Sequence, residues 1–248
     1  MAEKISRDAP TKKVDLQVDT LSYPPDAAAY FSPDTNTITQ NYVIGRDNTF
    51  NQSPSTLAHE QKHRDNNAQG LKNMPMSLEE YYKVCCHDEI SASTCELLQL
   101  RQEYIDAKTP EEREKIVHSS SGYKFGYYFD AVKKGEINPF SNSPEDFQKE
   151  MKFIATKTQE MWMKNYAVFY NDNHVSMTKN FLNRHDCSEL NPNPENYNKA
   201  LKIAYTIGGI DFSKYMEDIP CINPSIELAD EMIANNRHKT NIEGAIDK

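Results

Sequence analysis

Glycine is scarce in this chain, and long apolar runs are missing. Only 8 of the 248 residues are glycine, whereas 26% of the residues are charged. A fold made of many tight hairpins needs more glycine at its turns, so the composition favours a protein that is rich in helices. Because no stretch resembles an apolar transmembrane segment, we expect no membrane partner.

Positive charge is also in short supply. The chain has 28 lysine and arginine residues against 37 aspartate and glutamate residues, so its net charge is −9, and it has no basic block. Nucleic acids and anionic membranes attract basic proteins, so neither is an expected partner. A peptide or protein substrate is expected, and a cationic peptide is compatible with this charge. Residues 1–13 lack the apolar run of a secretory signal. The localisation therefore stays open between the cytoplasm, export by a non-classical route, and a mature domain whose signal has been removed.

Cysteines are few, and none lies in a CxxC pair of the metal-ligand type. There are 5, an odd number. Cys85, Cys86 and Cys95 fall in one helical stretch. The simpler interpretation is that they are buried there as small apolar residues. Cys187 and Cys221 lie beside Asn-Pro turns, and a disulfide between them stays open.

His59, Glu60 and His63 form the pattern HExxH within the stretch Ser55 to Asn67. This pattern is typical of zinc sites. Two histidines four residues apart lie on one face of a helix, where both imidazoles can bind the same metal ion. The glutamate can take a proton from a water molecule on that ion, which is the general-base step of metal-dependent hydrolysis.

The flanking residues predict that this motif lies in a helix. Ser53 and Pro54 suit the N-cap and the first helical position, and Gly70 suits the end. After Leu57 and Ala58 the segment is polar, so the histidines have no apolar face to fill. We therefore prefer a metal site, with Zn²⁺ as the expected ion, to a pair of structural histidines.

A catalytic zinc ion takes three protein ligands and keeps one position for water, so a third ligand is needed. Glu89 is the expected ligand because it follows His63 by 26 residues, enough for a second helix to return across the first. The small residues at 91–93 permit a close approach of the two helices. His87 is the alternative third ligand.

Two other acidic residues near Glu89 are not expected to bind the metal ion. Asp88 points to one side of the helix, and Glu96 lies about 10 Å further along its axis. We therefore expect Asp88→Ala and Glu96→Ala to keep zinc and Glu89→Ala to lose it.

Between Tyr30 and about Arg101, the chain resembles the zincin metallopeptidases of the gluzincin type, in which HExxH and a glutamate on a downstream helix bind zinc. Thr37 to Gln40 resembles the edge strand on which such enzymes lay their peptide substrate. Thr56 to Ala58 resembles the family's approach to the motif. The resemblance implies a zincin-like core and hydrolysis of peptide bonds.

Two positions depart from the gluzincin pattern. Many members have an aspartate four residues after the glutamate ligand, where it orients the first histidine. Here that position is Ser93, a weaker and neutral partner. Lys62 stands where many relatives have glycine before the second histidine. Neither departure removes a ligand or the base.

The order of elements predicts an α+β protein that is predominantly helical, with a zincin-like core and a small N-terminal β-sheet. Alternation predicts a strand at Val14 to Val18, and turn-forming residues predict a hairpin at 29–39. No further strand is expected. Helices are expected at 53–70, 78–107 with one possible break, 110–119, 123–133, 143–169, 174–184, 195–206 and 225–236.

Three regions follow from this order. Residues 1–12 form a flexible lead, 13–140 form the zincin-like catalytic region, and 141–248 form a helical region. The helical region belongs to the same domain or extends it. Its role and the identity of a substrate are not readable from any motif.

Together these features predict a zinc-dependent metallopeptidase, with Glu60 activating the water and passing its proton to the leaving amine. Two alternatives stay open. One is a metal-binding regulatory or toxin-like module with little catalysis, and the other is a structural helical protein with an incidental motif. Metal content separates the last from the others. Loss of cleavage in Glu60→Gln, with zinc retained, separates the metallopeptidase from the metal-binding module.

Tyr82 is the residue expected to stabilise the oxyanion that forms when water attacks the peptide carbonyl. It precedes Glu89 by seven residues, two helical turns, which places both on one face. A tyrosine at this offset resembles the arrangement in lethal-factor-like gluzincins. Tyr81, His174 and His185 are the alternatives.

Overall fold

The structure is a computed structural model that describes residues 29–40, 54–184 and 191–219. It is predominantly helical with small β-hairpins, as expected for a predominantly helical α+β protein. The zincin-like core stays a prediction. None of the described helices has the length and apolar character needed to cross a membrane. The elements are β1 (Ala29–Ser32), β2 (Thr37–Gln40), α1 (Pro54–Ala68), α2 (Leu78–Asp106), α3 (Pro110–Val117), α4 (Ser120–Lys124), α5 (Gly126–Lys133), α6 (Pro144–Arg184), α7 (Pro194–Tyr205), β3 (Thr206–Ile207) and β4 (Ile210–Asp211).

Some sequence-based expectations concern other parts of the chain. The flexible lead at 1–12, the strand at Val14 to Val18 and the helix at 225–236 lie outside the described residues. Cys187 and Cys221 also lie outside them. These expectations stay predictions.

The central element is α2, a single helix of 29 residues without the break that we allowed. A capping box fixes its start. The Ser77 hydroxyl accepts the backbone N–H of Glu80 at 3.2 Å, and the Glu80 carboxylate accepts the backbone N–H of Ser77 at 2.8 Å. Helices α1, α6 and α7 pack around α2. Most of its side chains from Tyr81 to Leu100 are therefore buried.

Helix α6 runs without interruption over 41 residues. The expected division into two helices is wrong, because neither glycine nor a second proline occurs within it to stop the helix. It lies antiparallel along α2. Trp162 donates to Ser93 Oγ at 2.8 Å towards one end, and the rings of Phe181 and Tyr81 lie 5.4 Å apart towards the other.

Two short hairpins accompany the helices. β1 and β2 pair as predicted, with Tyr30 opposite Thr39. The second hairpin joins β3 and β4 through Gly208 and Gly209, whose φ angles are 57° and 79°. Positive φ at both central residues is typical of a tight hairpin turn, and glycine adopts it without strain. The expectation of no further strand is therefore wrong, because the glycine pair forms a turn between strands.

One hydrophobic core joins the described residues on both sides of residue 140. It includes Leu97 and Tyr128 before that point, and Ile154, Phe181 and Tyr205 after it. Because α6 and α7 both pack on α2, the later helices help to hold the helix that carries Glu89.

Lys62 joins α1 to α7. It is only 5% exposed, and its Nζ donates to the carbonyl oxygens of Ile203 and Thr206, each at 3.2 Å. These carbonyls lie at the C-terminal end of α7, where a helix leaves acceptors unpaired and positive charge is favoured. Lys62, at the position where many gluzincins have glycine, therefore links α1 to another helix.

We predict that Lys62→Met lowers the free energy of unfolding by about 1–3 kcal/mol, because the carbonyl groups of Ile203 and Thr206 lose their donor. Methionine keeps most of the apolar stem. Urea unfolding followed by circular dichroism measures the change. Lys149 is exposed, so Lys149→Met is the control and should unfold like the wild type. Equal stability of Lys62→Met and the wild type would contradict the role of Lys62.

Candidate metal centre

Helices α1 and α2 bring three ligand-type side chains together. His59 and His63 project from α1, and Glu89 reaches them from α2. The two Nε2 atoms are 3.1 Å apart, and Glu89 Oε2 lies 3.6 Å from that of His59 and 3.5 Å from that of His63. The three residues predicted as ligands therefore form one cluster.

The spacing of these three atoms suits a tetrahedral metal ion. Bonds of roughly 2.0–2.2 Å place neighbouring nitrogen and oxygen ligands of a tetrahedron about 3.3–3.6 Å apart. The separations in the cluster range from 3.1 to 3.6 Å. Among the residues described, this is the group of histidine and acidic side chains that could hold a metal ion.

Asp88 orients His63. Its Oδ2 atom lies 2.9 Å from His63 Nδ1 and 2.6 Å from Lys72 Nζ, and its Oδ1 accepts from Asn66 at 2.7 Å. Burial disfavours the carboxylate, but the charges of Lys72 and His63 outweigh burial and hold the pKa of Asp88 below its usual range. With Nδ1–H directed at Asp88, neutral His63 presents its Nε2 lone pair to the cluster.

Glu96 stands behind His59 in a similar way. Its Oε2 atom lies 3.3 Å from His59 Nδ1, close enough for an ion pair but out of line for a well-formed hydrogen bond. Lys124 Nζ is 2.6 Å from the same oxygen, and Ser121 donates to Oε1 at 2.8 Å. Burial raises the pKa of Glu96, but the contacts with His59 and Lys124 outweigh burial and lower it to about 2.

In many gluzincins, the residue four positions after the glutamate ligand orients the first histidine. Ser93 stands at that position, but its partner is another residue. Its Oγ atom accepts from Trp162 at 2.8 Å. The carboxylate behind His59 comes from Glu96, seven positions after Glu89. Because seven residues are about two helical turns, both glutamates lie on one face of α2, and Glu96 approaches the opposite edge of the imidazole.

The acidic groups around the two imidazoles favour positive charge. Burial lowers the pKa of His63, but Asp88 and Glu89 outweigh burial and raise it well above its usual range. The pKa of His59 is also raised, because Glu89 and Glu96 overcome its burial. Burial raises the pKa of Glu89, and the two histidines hold it well below its usual range. Such a cluster attracts a cation.

Glu60 lines the same cavity as the cluster. It is 8% exposed, and burial is the main reason why its pKa is raised. His59, His63 and a backbone hydrogen bond from Phe31 act in the opposite direction. A buried carboxyl group with a raised pKa has the basicity that a general base needs.

The cluster opens into a cavity of about 350 Å³. Side chains of α1 and α2 surround the ligands, and the C-terminal half of α6 forms a wall. The α6 residues that line the cavity recur at intervals of mainly three and four, so one face of that helix borders the site. They are Asn173, Ser176, Met177, Asn180 and Arg184.

The strand beside the cavity is β1. Tyr30 and Phe31 of this strand line the cavity, together with Pro33 of the turn. The segment Thr37 to Gln40, which resembles an edge strand in the sequence, is the other arm of the hairpin and is absent from the described lining. The strand backbone that forms a hydrogen bond with Glu60 is that of Phe31, in the first arm.

Tyr81 lines the cavity, whereas Tyr82 does not do so in the part of the chain described. Tyr82 is 3% exposed, and its hydroxyl contacts Thr178 and donates to the carbonyl oxygen of His174 at 3.2 Å. The expected projection of Tyr82 into the cavity is wrong, because this side chain packs against α6. His185 lies outside the described residues. The α2 residues that line the cavity are Tyr81, Cys85, Asp88 and Glu89.

His87, the alternative third ligand, contacts α7. Its Nδ1 lies 2.6 Å from the hydroxyl of Tyr205, and its Nε2 lies 3.1 Å from that of Tyr197. Burial lowers the pKa of His87 to about 3, so the ring is neutral. His87 therefore links α2 to α7, and Glu89 is the residue that reaches the two histidines of α1.

No protein-family model, curated protein or solved structure matches the chain. The resemblance to gluzincins stays a prediction.

We predict that Glu96→Gln lowers the affinity for Zn²⁺ by about 10- to 100-fold, because the amide cannot hold His59 by charge. The expectation that Glu96→Ala keeps its zinc concerns loss of the ion and stays a prediction, whereas the present one concerns the affinity. Competition with a chromophoric chelator measures the affinity. Glu79 on the same helix is 54% exposed, so Glu79→Gln is the control. Unchanged affinity in folded Glu96→Gln would remove Glu96 from the support of the site.

Proposed function

We propose that this protein is a zinc-dependent metallopeptidase in which His59, His63 and Glu89 hold Zn²⁺ and Glu60 is the general base. The observation that carries the proposal is the convergence of two imidazole nitrogens and one carboxylate oxygen, 3.1 to 3.6 Å apart, beside a cavity that Glu60 also lines. The combination of a metal cluster and an adjacent buried base suits hydrolysis better than simple metal storage.

The ligand set favours zinc among the common divalent ions. Two imidazoles and one carboxylate form the protein ligands of many catalytic zinc sites, which leave one position open. Magnesium and calcium prefer sets made entirely of oxygen ligands. When bound, Zn²⁺ lowers the pKa of a water molecule and polarises a carbonyl group.

The residues of the chain perform the proton transfers. Glu60 takes a proton from the attacking water and delivers it to the amine that leaves when the peptide bond breaks. Asp88 and Glu96 keep the two imidazoles turned with Nε2 towards the centre. The products are a carboxylic acid and an amine.

An extended peptide fits the cavity as substrate. Its volume of about 350 Å³ lies within the range of small-molecule and peptide sites. Asn67, Asn173 and Asn180 line it, and amide side chains can both donate to and accept from a peptide backbone. The alternative is a metal-binding regulatory or toxin-like module with little catalysis. It would use the same metal ligands but would not need Glu60 as a base.

We predict one zinc ion per chain after loading, because three ligands of suitable spacing are already together. Glu89→Ala should lose stoichiometric zinc. His87→Ala is the control and should keep it, since His87 contacts α7. Elemental analysis of dialysed protein measures the content. Zinc-free wild type after loading would end the proposal, and loss of zinc only in His87→Ala would change the third ligand.

We predict that Glu60→Gln keeps its zinc but lowers kcat for peptide cleavage by about 10²-fold or more, the usual contribution of a general base. Cleavage of a peptide library, with zinc content determined in parallel, measures both properties. Asp65 is an exposed acidic residue of the same helix, so Asp65→Asn is the control and should cleave like the wild type. Equal cleavage by zinc-loaded Glu60→Gln would exclude Glu60 as the base, and a zinc-loaded wild type that cleaves nothing would favour the regulatory module.

A further inference from the structure

Arg184 is a cation on the cavity wall without an acidic partner among the described residues. It lines the cavity from the last turn of α6. Its Nη1 donates to the side-chain oxygen of Asn73 at 2.9 Å, a neutral group. Lys72, the other cavity-lining residue with a permanent positive charge, lies 2.6 Å from Asp88 and is neutralised by it. The guanidinium therefore has charge that no described carboxylate offsets.

Arg184 lies at the end of the cavity that is away from the metal ligands. Because α6 runs antiparallel to α2, its last turn lies beside the start of α2, where Phe181 contacts Tyr81. Tyr81 precedes Glu89 by eight residues, which corresponds to about 12 Å along the helix axis. An extended peptide covers that distance in three to four residues, at roughly 3.3 Å per residue.

A guanidinium in this position is suited to bind a carboxylate. Its planar fork can donate two parallel hydrogen bonds to the two oxygens of one carboxylate. The neighbouring cavity residues Asn180 and Ser176 are polar and carry no charge of either sign. The chain as a whole has a net charge of −9, which repels acidic peptides, so a local cation is needed to admit one.

We infer that the cavity selects peptides that carry a carboxylate three to four residues from the bond that is cut, and that Arg184 binds this carboxylate. The inference rests on the proposed function. The carboxylate belongs either to an aspartate or glutamate side chain or to the C-terminus of the peptide. Arg184 is thus a specificity-determining residue and takes no part in the proton transfers.

Matched peptides test the inference. Each pair differs only by glutamate or glutamine at one position on either side of the cleaved bond, and a further pair differs by a C-terminal acid or amide. The wild type is expected to show kcat/KM about tenfold or more higher for the acidic member at one position, the scale of one charged hydrogen bond. The glutamate pairs and the terminal pair identify which source of carboxylate is used.

Variants of Arg184 connect the preference to this side chain. Arg184→Gln should bring the ratio of kcat/KM values close to one, and Arg184→Glu should favour a lysine-containing peptide instead. Arg184→Lys keeps the positive charge at the C-terminal end of α6 and should keep part of the preference. Lys179 is exposed on the same helix, so Lys179→Gln is the control for net charge and should keep the full ratio.

A binding measurement separates this inference from the proposed function. Zinc-loaded Glu60→Gln and the double variant Glu60→Gln/Arg184→Gln are titrated with the same fluorescent acidic and neutral peptides. Tighter binding of the acidic peptide that is lost only with Arg184 supports the inference even if the wild type cleaves nothing. A ratio near one in the wild type, or a preference that survives in folded Arg184→Gln and Arg184→Glu, would overturn it.

Discussion

The buried carboxylate of Asp88 is the interaction on which the relative position of α1 and α2 depends. It is 2% exposed and has three partners, His63, Asn66 and Lys72, all from α1 or the segment after it. A buried charge that lacks its partners is strongly destabilising. The two helices are therefore favoured in the register that brings all three groups to one side chain. That same register places Glu89 beside the histidines.

Helix α1 is held by polar contacts more than by apolar packing. Its buried residues are all polar. Lys62 binds carbonyl groups at the end of α7, and Ser55 donates to Ser121, which in turn donates to Glu96. Each carboxylate behind a histidine is paired with a lysine, so these supports add little net charge to the site. The charge of Glu89 and Glu60 is therefore left to act within the cavity.

Local rules were sufficient for the elements that carry the site. Caps, prolines and Gly70 predicted the ends of α1 and α2, and helical spacing placed His59 and His63 on one face. Glu89 was predicted from the 26 residues that separate it from His63, enough for a second helix to return across the first. Other contacts between distant segments have no pattern in the sequence that predicts them. Glu96 and Lys124 are 28 residues apart, and neither helix marks the other as its partner. The seven-residue spacing between Tyr82 and Glu89 predicted only that both side chains lie on one face of α2. The packing of α6 against that face determines that Tyr82 contacts α6 and does not reach the cavity.

The carboxylates of Asp88 and Glu96, which lie behind the two histidines, add two spacings to the HExxH motif. The length of the first can vary, and the length of the second is fixed. After HExxH come 24 residues, then Asp-Glu, then six residues, then glutamate. The first spacing includes the connection between two helices, so its length can change while the helices keep their places. The second lies within α2, where one inserted residue would turn the last carboxylate by about 100° away from His59. A distant relative with the same centre would therefore keep the second spacing even where the first has drifted.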